Sequence, residues 1–99
     1  MRINIKDKEI ELKYTFRAYI IYEQITDENF TPKGLKEIIT LFYSFLMSSD
    51  RDNTITFDEF VDYLDENPTV LDEFSQWLKE HMEVQRRVSK EGEGEPSKN

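Results

Sequence analysis

The sequence contains no cysteine, which removes disulfide frameworks and thiolate metal sites together. It has one histidine, too few for the usual His/Cys transition-metal site. Its serines have no Gly-x-Ser-x-Gly turn on which a nucleophilic triad would sit. Glycine occurs only three times, and two of the three lie in the acidic run Glu91-Gly92-Glu93-Gly94-Glu95, which would repel a phosphate rather than cradle it. Positive charge is also scarce: 13 Lys and Arg stand against 21 Asp and Glu, for a formal net charge of -8. That balance argues against nucleic acid and against an anionic membrane surface as partners. No apolar run approaches the roughly 20 residues of a membrane span. The opening MRINIKDKEIELK alternates and is charged, unlike a signal peptide. Paired acids recur at 27–28, 58–59, 65–66 and 72–73, a density that suits a solvated surface better than general acid–base catalysis. The expectation is a soluble, cytosolic, non-enzymatic protein without a cofactor or a bound metal.

What the chain does have is aromatic surface. Seven Phe, five Tyr and one Trp make up 13% of 99 residues, a large apolar supply for a chain whose length suits one domain. Residues 2–14 alternate. Ile3 and Ile5 face one way, and after Lys6-Asp7-Lys8 the same face continues through Ile10, Leu12 and Tyr14. Period-two alternation broken by a short polar turn is a β-hairpin with one buried face. The turn has neither Gly nor Asn, which leaves its type open. A hairpin by itself is marginal in water and requires a cover.

Four helical segments follow. Thr15 is a candidate cap for a first helix through about Ile25, with Ala18, Ile21 and Ile25 on its apolar face. Thr31-Pro32 reads as N-cap and first helical position of a second helix. In that helix Leu35, Ile38, Ile39, Phe42, Phe45 and Leu46 fall at helical spacing, which makes it the expected central element, with Gly34 in its first turn. A third starts near Phe57 with Phe60, Val61 and Leu64 on one side, and ends before Pro68. A fourth opens at Pro68 or Thr69 and carries Leu71, Phe74, Trp77, Leu78 and Met82; His81, flanked by Glu80 and Glu83, is expected at its surface. The fold class is therefore α+β: an N-terminal two-stranded antiparallel β-hairpin packed on about four α-helices. Residues 1–87 form the single domain, and residues 88–99 are expected to be a disordered acidic tail.

Two features invite a functional reading. In the stretch Ser48–Phe60, SSDRDNTITFDEF, placing Glu59 at the twelfth position of an EF-hand loop puts Ser48 at the first, Asp50 at the third, Asp52 at the fifth and Asn53 at the sixth. The first position normally supplies a carboxylate and the sixth a Gly. Thr56-Phe57-Asp58-Glu59 also spells a capping box for the third helix, which accounts for the same residues without an ion. A degenerate single EF-hand-like calcium-binding module is thus one alternative function, and a small structural or regulatory protein is another. The second feature is the set Tyr19, Tyr22, Tyr43 and Tyr63, beside rather than within the apolar stripes. They read equally as edges of the core with wet hydroxyls and as candidate partner-binding residues.

The segment INIKDKEIELKYTFRAYIIYEQIT is similar to the opening of tail assembly chaperones of long-tailed (siphovirus-type) phages and prophages. Those proteins begin with a short hairpin and continue with a motif that Lys13 to Ala18, Tyr22-Glu23, Ile25-Thr26 and Phe30 match here. LFYSFLMSS and ITFDEFVDYLDENPTVLDEFSQWL resemble the later helices of that family, so the resemblance spans roughly residues 3–82. It implies a non-enzymatic chaperone that binds the tape measure protein during tail assembly. A frameshifted longer form would bind the tail tube protein. It further implies action in the bacterial host cytoplasm and absence from the mature virion. Self-association into a homo-oligomer is compatible with the same surplus of aromatic surface.

Overall fold

A computed structural model of the protein describes residues 1–97, with side-chain surroundings through Glu83. The expected disordered tail at 88–99 lies outside the residues described in that detail. The chain forms two strands and four helices in the order β1 (Arg2–Ile5), β2 (Lys8–Glu11), α1 (Phe16–Thr26), α2 (Leu35–Ser49), α3 (Phe57–Glu66) and α4 (Pro68–Ser97). This is the α+β arrangement that the alternation and helical periodicities imply.

The strands pair antiparallel, with Ile3 opposite Ile10 and Ile5 opposite Lys8. Lys6 and Asp7 connect them at φ of 52° and 61°. Two consecutive left-handed residues define a type I′ turn, whose twist matches that of the strands. Ile3, Ile5, Ile10 and Leu12 are buried. On the outer face, Arg2 reaches Glu11 at 2.7 Å and Glu9 at 3.6 Å. The hairpin is fastened to the helices by Lys8 to Asp50 at 2.5 Å, by an ion pair of Lys6 with Glu59, and by the Lys13 amide donating to Ser49 Oγ at 2.9 Å.

Thr15 caps α1 by accepting from the Ala18 amide at 3.2 Å. The helix ends at Asp27, which turns left-handed at φ 60° and donates its amide to the Glu23 carbonyl at 2.7 Å. That is an αL cap, here with Asp where Gly is usual. α2 begins later than Thr31-Pro32 suggests. The Lys33 amide bonds back to the Thr31 carbonyl at 2.8 Å, closing a tight turn that consumes those residues. Gly34 is then the N-cap, without a side-chain cap bond. Leu35 becomes the first helical residue and lies exposed. Thr56 and Glu59 form the expected capping box on α3: the Glu59 amide donates to Thr56 Oγ1 at 3.1 Å, and the Thr56 amide to Glu59 Oε1 at 2.9 Å.

α2 is the central element, buried along Leu41, Phe42, Ser44, Phe45 and Leu46. Phe42 stacks on Phe74 of α4 at 4.2 Å between ring centroids and meets the edge of Phe60 of α3 at 4.9 Å. Phe45 meets the edge of Trp77 at 5.4 Å and stacks with Tyr14 at 5.4 Å. Such ring pairs add about 1 kcal/mol each beyond the area they bury. His81, expected at the surface, is half-buried instead. It stacks on Tyr14 at 5.1 Å, lies 4.5 Å from the Trp77 ring, and sets Nδ1 2.9 Å from the Trp77 carbonyl. The helical period turns position 81 toward Tyr14, which lies beyond the end of the hairpin and so outside the helix's own pattern.

Candidate docking surface

α1 is apolar around most of its circumference, but only one side meets α2. Ala18 and Tyr22 are buried there. Ile25, which the stripe Ala18–Ile21–Ile25 placed inside, is 52% exposed, and Phe16 and Ile20 on the far side are exposed as well. The buried face is centred on Tyr22 rather than on Ile25, because the Tyr22 ring meets the edge of Phe30 at 5.4 Å, and Phe30 returns from the loop after the helix.

Ile25 sits between two concavities of about 420 Å³ each. The first is lined by Tyr22, Ile25, Thr40 and Phe57 together with the charged Glu28, Lys36 and Glu37. The second is lined by Ile21, Ile25, Tyr43 and Met47, with Arg17 and Arg51. Tyr43 joins them physically. Its ring meets the edge of Phe57 at 5.5 Å, and its hydroxyl donates to the Ile55 carbonyl at 2.7 Å. Together they make one groove across α1, α2 and the start of α3, apolar around Ile21, Ile25 and Met47 and more polar toward Glu28, Lys36 and Glu37. A separate apolar hollow of about 400 Å³ lies between Ile38 and Pro32 on one side and Leu78 and Met82 of α4 on the other.

The four tyrosines do not share one face. Tyr22 is 2% exposed and belongs to the core; burial pushes its phenol pKa up. Tyr19 is half-buried, its hydroxyl 2.9 Å from that of Tyr14 and its ring edge-on to Phe45 at 5.6 Å. Burial first, and that hydroxyl contact second, raise its pKa. Tyr43 and Tyr63 are partly buried with their pKa values raised chiefly by desolvation. Tyr63 stacks on Phe60 and lies near the Asn4 backbone. Only Tyr43 and the buried flank of Tyr22 line the groove. The sequence reading missed Ile25, Phe57, Met47, Arg17 and Arg51 as groove residues. The signal was present in α1: Phe16 and Ile20 fall opposite Ala18 and Tyr22, so the helix carries more apolar residues than one neighbour can cover.

The loop after α2 assigns its polar atoms internally. Ser48 belongs to α2 and bonds the Phe45 carbonyl and Thr15 Oγ1 at 3.1 and 3.0 Å. Asp50 pairs with Lys8, and Asn53 Oδ1 accepts from the Ile55 amide at 2.8 Å. Among the described residues positive φ occurs at Lys6, Asp7 and Asp27 but not at Asn53. The chain therefore does not make the sharp turn that the sixth EF-hand position requires. Glu59 divides its two oxygens between the capping box and Lys6. Among the described residues no three acidic or His side chains converge as metal ligands, and no helix is long and apolar enough to cross a membrane. Comparison of the chain with protein-family models, curated proteins and solved structures found no match.

Proposed function

We propose that the protein is a non-enzymatic phage tail assembly chaperone that covers apolar helical surface of a tape measure protein while the tail is built. The observation that carries this reading is the groove around Ile25, where apolar side chains from three helices stay open to solvent. Its shape and chemistry suit the apolar face of an amphipathic helix. α1 has 11 residues, about 16 Å at 1.5 Å per residue, so the groove takes roughly three turns of a partner. One such contact is weak, but a long helical partner offers many sites, and many chaperone copies along one chain keep its apolar surface covered. The net charge of -8 keeps the coated chain soluble. The sequence resemblance over residues 3–82 is what points to a tape measure protein as the partner. It also points to the bacterial host cytoplasm as the setting, to absence from the mature virion, and to binding of the tail tube protein by any frameshifted longer form.

Co-expression with the tape measure protein of the same gene cluster tests the proposal. A soluble complex that co-elutes in size-exclusion chromatography is expected. A tape measure protein that is equally insoluble with and without this chain rejects it.

A further inference from the structure

Arg17 and Arg51 stand at one end of the groove. The contact of Thr15 Oγ1 with Ser48 Oγ, at 3.0 Å, joins the start of α1 to the end of α2. The residues that follow each junction, Arg17 and Arg51, therefore flank the same mouth, with Ile21, Ile25 and Met47 between them on the floor. Arg2, Lys6 and Lys8 have carboxylate partners, whereas Arg17 and Arg51, like several surface lysines, make no ion pair among the described residues. The first turn of α1 carries no acidic residue, so the positive end of its dipole adds to the field there. The opposite end presents Glu28 and Glu37 beside Lys36. In a chain of net charge -8, an apolar hollow with two guanidinium groups at its mouth, continuing into a more polar one with carboxylates, is a polarised site.

We infer that the groove takes an amphipathic helix of a partner protein whose acidic residues cluster at one end of its apolar stripe. This inference rests on the helix-binding function proposed above and adds its specificity. Arg17 and Arg51 receive the acidic end through planar donors that match carboxylates. Glu28 and Glu37 repel it from the other end. The partner helix is thereby fixed in direction as well as in place, since charge complementarity selects orientation and rejects wrong partners.

Fluorescence anisotropy with the full chain and two synthetic helical peptides decides the point. Both carry the same Leu stripe; one has a terminal Glu cluster and the other a terminal Lys cluster. The Glu peptide binds about tenfold more tightly or better, a difference that shrinks as salt screens it. The double substitution R17E/R51E reverses the preference, and R17K/R51K keeps its direction. Both arginines lie outside the core, so circular dichroism of each variant should show an unchanged fold. Equal binding of the two peptides, or a preference that survives R17E/R51E, overturns the inference. If the R17E/R51E chain still solubilises the tape measure protein like the parent, the chaperone role stands and the charged mouth does not select the partner. If light scattering shows a dimer that Ile25→Ser dissociates, a second copy covers the groove and the inference is overturned.

Discussion

Tyr22 and Ile25 lie less than one turn apart on α1 and have opposite fates. The tyrosine is 2% exposed and the isoleucine is half in solvent. Hydropathy alone ranks them the other way, which is why the sequence reading placed Ile25 inside and Tyr22 at an edge. The deciding contact is Phe30, which comes from outside the helix and leaves no trace in its period. Glu59 is the opposite case, because its role is local and was legible from Thr-x-x-Glu spacing. What spacing does not reveal is Lys6, which arrives from the hairpin turn and, together with the Thr56 backbone amide, lowers the Glu59 pKa below 4.5. A depressed carboxylate pKa stabilises the fold above the unfolded-state value, and the gain is lost as pH falls through the lower folded-state value. Glu59→Gln preserves the cap geometry and removes the charge. Thermal unfolding should therefore show the parent more stable than Glu59→Gln at neutral pH, with the gap closing as pH falls below 4.5. A gap that persists unchanged into acid would assign the effect to something other than the carboxylate.

At the scale of elements, the hairpin, the α3 cap and the four helices follow from patterns with a single physical cause each. The exceptions have causes just as specific. α2 starts at Leu35 because the Thr31 carbonyl is taken by the Lys33 amide, a bond that the Thr-Pro signal does not encode. The hairpin turn was open in type because it has neither Gly nor Asn, the strongest left-handed signals. Pairing of Ile5 with Lys8 leaves two linking residues, and the twist of the strands then imposes the type I′ geometry. Asp7 at φ 61° carries a small conformational cost that Gly would relieve, partly offset by the greater freedom of Gly when unfolded. Asp7→Gly should stabilise the chain by about 0.5 kcal/mol, or roughly 2–4 °C in Tm. Asp7→Val, β-branched and ill-suited to positive φ, should destabilise it by about 1 kcal/mol or more. Two variants that melt alike would show that the turn is not held in this conformation.

Across the whole molecule, the apolar surplus divides into two populations, and composition cannot tell them apart. Phe42, Phe45, Phe60 and Phe74 are fully buried where α2, α3 and α4 meet. Phe16, Ile20, Ile25 and Phe57 stay at the surface around α1 and the groove. The division arises because α1 packs chiefly along α2, so a helix that carries apolar residues on most of its sides is left, among the described residues, with uncovered surface. The core was legible from periodicity, whereas the groove required knowing which helix lies against which. The two populations should separate cleanly by mutation. Phe60→Ala removes a buried ring and should cost about 3–5 kcal/mol, enough to threaten folding in a domain of this size. Ile25→Ser changes an exposed position and should alter stability by no more than about 0.5 kcal/mol. The same serine puts a hydroxyl in the middle of the groove floor, where a partner's apolar face would have to dry it. It should therefore weaken the proposed capture of a tape measure protein while leaving the melting curve in place. If Ile25→Ser instead melts like a core variant, the groove is part of what holds the protein together, and its exposure is not available for a partner.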